Sequence, residues 1–102
     1  MDPAKDLAEA LSPKVWVKFT RTTTDGVLSR ILINGEILNF RHDKARRKLV
    51  PGIFHVISWQ MVGNVGDSLS VSRDINGQTK VIVDKSVIID GSRHEDFNIF
   101  KF

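Results

Sequence analysis

Residues 53–75 read IFHVISWQMVGNVGDSLSVSRDI, and this stretch decides the fold class. Its first part, 53–62, is apolar at most positions, which is typical of a strand in the centre of a sheet. After a segment with two glycines, Leu69, Val71 and Ile75 alternate with serines and an aspartate. Such period-2 alternation predicts a strand with one buried face. We therefore expect two β-strands joined by a hairpin loop.

Two Asn-Gly pairs predict further tight turns. Asn34-Gly35 lies between ILI and EILNF, and Asn-Gly accepts the two positive φ angles of a type I′ hairpin turn. This pair predicts strands at about 28–33 and 36–40. Asn76-Gly77 predicts a second hairpin. Additional short strands are expected at 15–20, 79–83, 87–89 and 97–102.

These segments make about eight short strands, mostly separated by eight to twelve residues, a spacing typical of β-sandwiches and barrels. The single polar face of the alternating strands favours antiparallel pairing. We predict an antiparallel β-sandwich, with a small closed β-barrel as the alternative. A short N-terminal helix is expected within 1–13, begun by Asp2-Pro3 and ended by Ser12-Pro13.

The length of 102 residues predicts a single β-sandwich domain spanning 1–102. The chain contains no cysteine, which excludes disulfides and thiolate chemistry. The first residues lack the basic and apolar regions of a secretory signal, and no apolar run approaches the roughly 20 residues of a membrane span. We therefore expect a cytoplasmic protein without a membrane span.

Basic charge is concentrated in one segment. Residues 41–48, RHDKARRK, hold five of the Lys and Arg residues and one Asp, whereas the rest of the chain holds ten basic and eleven acidic residues. Such a segment can neutralise several phosphates, although it contains no aromatic residue on which a base could stack. The alternative is a solvated connection between strands. The candidate anion-binding residues are Arg41, Lys44, Arg46, Arg47 and Lys48.

The sequence shows no arrangement of residues typical of a catalytic or metal site. His42, His55 and His94 lack the short spacing of zinc ligands. His55 lies among apolar residues, so we expect a hydrogen-bonded histidine in the core or in an interface. No G-x-S-x-G motif accompanies the serines of the alternating strand. We therefore expect a protein that is not an enzyme and that uses no metal or cofactor.

The final segment, FNIFKF, has apolar residues on both faces of a predicted strand. Such a strand is buried on both sides, covered by a partner, or prone to aggregation. Trp16 should point outward beside Lys18, and we expect it to join the same apolar surface. The candidate interface residues are Trp16, Phe97, Ile99, Phe100 and Phe102.

The leading hypothesis is a non-catalytic interaction module whose partner is another protein or a second copy of the chain, bound through the last strand. The first alternative is binding of nucleic acid or another polyanion through 41–48. A third is carbohydrate binding by an exposed aromatic residue such as Trp16.

Overall fold

The computed structural model describes residues 13–87 and 93–102, which form two antiparallel four-stranded sheets. In sheet A the strand order is β4-β1-β6-β7, and in sheet B it is β3-β2-β5-β8. The sheets do not close into a barrel, so the predicted all-β sandwich is confirmed. The strands are β1 (Val15–Thr23), β2 (Leu28–Ile33), β3 (Glu36–Ile37), β4 (Lys44–Leu49), β5 (His55–Val62), β6 (Ser68–Ile75), β7 (Gln78–Ser86) and β8 (Arg93–Phe100).

The core lies between the two sheets and is built from alternate residues of their strands. Val17 and Phe19 of β1 are fully buried, as are Leu69 and Val71 of β6, and the residues between them are more exposed. Burial of each such side chain stabilises the fold by about 1.5–3 kcal/mol. The predicted alternation in both strands is therefore confirmed. Sheet B contributes the buried apolar side chains Ile31, Ile33, Ile57, Trp59, Met61 and Phe100.

The segment 53–75 does not form the expected hairpin, because β5 lies in sheet B and β6 lies in sheet A. The connection 63–67 carries the chain from one sheet to the other. Two of its N–H groups form hydrogen bonds within the connection itself. Asp67 N donates to Asn64 O at 2.9 Å, and Asn64 N donates to Asp67 Oδ2 at 2.8 Å. A Cβ on Gly63 would lie 3.0 Å from that carboxylate, which explains a glycine there.

Both Asn-Gly pairs form the predicted tight turns. The φ angles are 51° and 82° at Asn34-Gly35, and 52° and 82° at Asn76-Gly77, as a type I′ turn requires. The strand after the first turn is shorter than the predicted 36–40, because β3 ends at Ile37 and the next residue, Leu38, is buried in the core.

Other strand assignments also differ from the predictions. The basic segment 41–48, in which no strand was predicted, contributes most of β4. The break expected after 83 is absent, since β7 continues to Ser86. The last strand begins at Arg93 and ends at Phe100, earlier than the predicted 97–102. The predicted helix over 1–13 and strand over 87–89 lie outside the described residues, apart from Pro13 and Val87, which belong to no helix or strand.

Side chains connect the two sheets at both open sides of the sandwich. Arg47 of β4 donates to the Ile37 carbonyl of β3 at 2.8 Å. On the other side, Asn98 of β8 donates to the Ile82 carbonyl of β7 at 2.9 Å. These bonds connect the two sheets at their edges and leave both outer faces open.

Over 13–87 and 93–102, the chain has no helix with the length and apolar character needed to cross a membrane.

Candidate functional site

One outer surface of sheet A combines an indole with a row of cations. Strands β1 and β4 pair antiparallel, with Trp16 opposite Lys48, Lys18 opposite Arg46, and Thr20 opposite Lys44. Opposed residues of an antiparallel pair present their side chains on the same face of the sheet. The alternating burial of β1 and β4 shows that this face is the one turned to solvent. We call this surface, formed by Trp16, Lys18, Lys44, Arg46 and Lys48, the Trp16 face.

Two of these cations contact the indole. The Arg46 Cζ lies 4.7 Å from the Trp16 ring centroid, and the Lys48 Nζ lies 5.1 Å from it. Both distances are within the range of cation–π attraction, which contributes about 0.5–1 kcal/mol at an exposed site. The Trp16 residue nevertheless remains 51% exposed. The ring is therefore held in place while much of it stays accessible to a ligand.

The basic residues that point inward are already paired. The Arg21 Nε lies 3.1 Å from the Asp43 carboxylate. Arg47 points toward sheet B, where its guanidinium lies 3.4 Å from the Glu36 carboxylate. The charges of Arg21 and Arg47 are thus used within the fold, and Arg47 does not belong to the Trp16 face.

The outward cations have no such partners. In the part of the chain that the structure describes, Lys18, Lys44, Arg46 and Lys48 form no ion pair within 4.0 Å. Asp74 is opposite Lys18 on β6, but its carboxylate accepts hydrogen bonds from the turn and the start of β7. Within 13–87 and 93–102 these four cations are therefore free of ion pairs, and the Asp74 carboxylate is an acidic neighbour on the same face.

A groove and a row of hydroxyl groups continue this surface across sheet A. The groove is open, has a volume of about 480 Å³ and includes three cations, Lys18, Lys44 and Arg46, and one carboxylate, Asp74, in its lining. Thr20 also lines the groove, and the hydroxyl residues of β1 and β6 face each other, with Thr20 opposite Ser72 and Thr22 opposite Ser70. Hydroxyl groups can donate hydrogen bonds to phosphate or sulfate oxygens.

The structure divides the five basic candidates from the sequence. Lys44, Arg46 and Lys48 lie together on the Trp16 face, whereas Arg47 points inward. Arg41 is exposed and precedes β4, bridging to Lys44 through the backbone. Sequence reasoning did not place Lys18 or an aromatic residue with this segment. The signal was present in the outward position predicted for Trp16, but the pairing of β1 with β4 could not be predicted from either segment alone.

The candidate interface residues lie in three different places. Phe97 and Ile99 are 62% and 51% exposed on the outer face of sheet B. Phe100 is buried in the core, and Phe102 is half-buried against it. Trp16 is outward, as predicted, but it lies on sheet A. The expectation that it joins the apolar surface of the last strand is therefore wrong, because the sandwich separates them.

His55 is a buried core residue with both ring nitrogens hydrogen-bonded. Its Nε2 donates to the Val50 carbonyl at 2.7 Å, and its Nδ1 accepts from Asn34 Nδ2 at 3.0 Å. The ring also stacks on Phe102, with centroids 5.6 Å apart. The prediction of a hydrogen-bonded core histidine is confirmed. Among the described residues, no three His, Asp or Glu side chains are grouped so that they could hold a metal ion.

Two open surfaces therefore lie on opposite sides of the sandwich, the Trp16 face on sheet A and an apolar face on sheet B. The first combines an accessible aromatic ring with cations that form no ion pair within 13–87 and 93–102. The second presents aromatic and aliphatic side chains. The chain matches no protein-family model, no curated protein and no solved structure.

Proposed function

We propose that the protein binds single-stranded nucleic acid through the Trp16 face. The observation that supports this function is an exposed indole flanked by two cations that have no carboxylate partner among the described residues. Proteins that bind single strands combine a positively charged track for the backbone with aromatic side chains on which bases stack. The basic segment lacks an aromatic residue of its own, and β1 supplies one.

The spacing of the cations suits an extended strand. Lys44, Arg46 and Lys48 are alternate residues of β4, so their backbones are about 6.6 Å apart at a rise of roughly 3.3 Å per residue. This interval is close to that between successive phosphates of an extended nucleic acid strand. A strand lying along β4 places phosphates beside these cations and a base against Trp16. Stacking of one base on an aromatic residue contributes about 1–3 kcal/mol.

Edge protection and polysaccharide binding would each explain part of this surface. Lysines on an outermost strand prevent pairing with other sheets, and β4 is outermost in sheet A. That role explains charge on β4, but it requires neither Lys18 on β1 nor an exposed indole between the cations. An acidic polysaccharide would use the same charges and could pack a sugar ring on Trp16. It lacks the aromatic bases that stacking requires, so the two ligands can be distinguished experimentally.

The experiment is a binding titration with a fluorescently labelled oligonucleotide of about 12 nucleotides, within the site sizes of single-strand binders. Four cations that each neutralise one phosphate predict a slope of about −3 for log K against log salt concentration. The affinity should therefore fall about 50-fold between 50 and 200 mM salt. An absence of binding even near 50 mM salt would contradict the proposal.

A pair of charge-matched variants separates a local site from bulk charge. Arg46→Glu with Lys48→Glu changes two residues of the Trp16 face and lowers the formal net charge of the whole chain from +3 to −1. Arg30→Glu with Lys80→Glu gives the same net charge at exposed positions away from that face. We expect the first variant to lose binding and the second to retain most of it. Equal losses would mean that binding follows net charge alone.

A heparin fragment of matched charge serves as the competitor without bases. The proposal predicts that Trp16→Leu weakens binding of the oligonucleotide and leaves binding of heparin nearly unchanged. Equal affinities for both ligands, with no dependence on Trp16, would identify a general polyanion site. Tighter binding of heparin that depends on Trp16 would identify the acidic polysaccharide as the ligand class.

A further inference from the structure

The outer face of sheet B is apolar where β5 and β8 pair. Val56 lies opposite Ile99, and Ser58 lies opposite Phe97. Phe97 and Ile99 are more than half exposed, and Val56 is also exposed. Leu32 of β2 lies opposite Ser58 and extends the surface toward β3. Contiguous apolar side chains on a sheet face are typical of a contact surface.

Two N–H groups at the edge of β8 are already hydrogen-bonded within the chain. The N–H and carbonyl groups of Val56 bond to Asn34, on the side of β5 that is away from β8. The backbone groups of the neighbouring residues of β5 therefore point toward β8. In this register the N–H groups of Phe97 and Ile99 point away from β5. Phe97 N donates to Asp96 Oδ1 at 2.8 Å, and Ile99 N donates to Asn98 Oδ1 at 2.9 Å. Edge groups protected in this way resist addition of a strand. This protection favours a partner that binds to the face of the sheet over one that adds a strand at its edge.

The outward residues of this last segment form a charge-complementary series. They are Arg93, Glu95, Phe97, Ile99 and then Lys101, so that two apolar side chains lie between an ammonium and a carboxylate that also pairs with Arg93 at 2.8 Å. The Lys101 Nζ lies 5.0 Å from the Phe54 ring centroid, beside the apolar surface. A two-fold axis that passes between Phe97 and Ile99 brings Glu95 of each copy opposite Lys101 of the other. The same rotation places Phe97 against the second copy's Ile99.

We propose that two copies of this chain associate through the outer faces of sheet B, with their β8 strands antiparallel about a two-fold axis. Such an isologous contact uses the same residues from both copies. It also leaves the Trp16 face of each copy open, on the outer sides of the dimer. The dimer therefore presents two nucleic-acid sites, and a long strand that reaches both gains affinity by avidity.

The available area sets the strength of this contact. The strands of sheet B have two, six, eight and eight residues, so their face covers about 380 Å² when strands are roughly 4.8 Å apart and rise about 3.3 Å per residue. Two such faces bury about 760 Å² in total, below the roughly 1,200–2,000 Å² of stable specific interfaces and in the range of weak, transient contacts. We therefore expect a reversible dimer with a micromolar dissociation constant.

The test is sedimentation equilibrium over about 3–300 µM, a range that spans the expected dissociation constant. The proposal predicts a shift from the 11.5 kDa monomer to a species of twice that mass. Phe97→Asp should give a folded monomer, because this residue is 62% exposed and contributes little to the core. Trp16→Leu, on the opposite sheet, should leave the dimer unchanged. A parent protein that is monomeric throughout the range contradicts the proposal.

Charge exchange tests the orientation of the two copies. Glu95→Lys alone or Lys101→Glu alone places like charges across the axis, and each should weaken the dimer at least tenfold. Glu95 also pairs with Arg93 at 2.8 Å, so circular dichroism of each variant is needed to show an unchanged fold. The two changes together restore opposite charges and should restore the dimer. Failure of the double variant to recover, with its fold intact, would overturn the proposed arrangement.

Discussion

The guanidinium carbon of Arg46 lies 4.7 Å from the ring centroid of Trp16. The two residues are 30 positions apart in the sequence and are brought together by the pairing of β1 with β4. Neither segment has the parts of a single-strand binding surface by itself, since one supplies the aromatic ring and the other supplies most of the charge. The proposed function depends on this pairing.

Replacing Trp16 by Leu should weaken binding of a single-stranded oligonucleotide by about 1–3 kcal/mol, the contribution of one stacked base. The stability of the fold should change by no more than about 1 kcal/mol, because the indole is exposed and loses only its cation–π contacts. Urea denaturation and the binding titration check the two expectations separately. Unchanged affinity in the Leu variant would show that no base stacks at this position.

Arg46 and Arg47 are identical neighbours that point to opposite faces of β4, so they form a matched pair. Arg46→Ala should reduce oligonucleotide affinity several-fold and hardly alter stability. Arg47→Ala should have the reverse effect, since it removes the 2.8 Å bond to the Ile37 carbonyl and should destabilise the fold by about 1–2 kcal/mol. If both variants lose binding equally, the division of the basic segment between two faces is wrong.

Gly35→Val should destabilise the fold by about 1–3 kcal/mol, because φ at this position is 82° and a β-branched residue resists positive φ. No atom lies within 4 Å of a Cβ built there, so the cost comes from backbone strain and not from a clash. Gly35→Asn is the control, since asparagine tolerates this conformation, and it should cost less. A Val variant with the urea midpoint of the parent would contradict the type I′ turn.

Asn34 joins its hairpin turn to the buried histidine. Its Oδ1 accepts from Val56 N at 2.9 Å, and its Nδ2 donates to His55 Nδ1 at 3.0 Å. Asn34→Gly keeps the positive φ of the turn and removes both bonds, which should cost about 1–3 kcal/mol. Asn34→Ala adds backbone strain and should cost more. Equal free energies of unfolding for the two variants would mean that the φ angle carries no cost.

The sequence predicted features that are encoded locally. The two Asn-Gly turns follow from the φ angles that these residues accept, and the outward position of Trp16 follows from the alternation of β1. Strand β4 was missed because Arg47 occupies an inward position, where its bond to β3 replaces apolar burial and removes the period-2 signal. The separation of β5 from β6 was missed because both strands face the same core. Their sequence patterns are then compatible with either sheet.

The most direct test of the proposed function is the fluorescence of Trp16 during titration with an oligonucleotide. The chain has two tryptophans, and Trp59 is only 3% exposed. In a Trp59→Phe variant the emission comes from Trp16 alone, and in Trp16→Phe it comes from the buried ring alone. Stacking of a base predicts saturable quenching in the first variant, with the salt dependence of binding, and none in the second. An oligonucleotide that binds by anisotropy but leaves the emission of Trp16 unchanged would contradict the proposal.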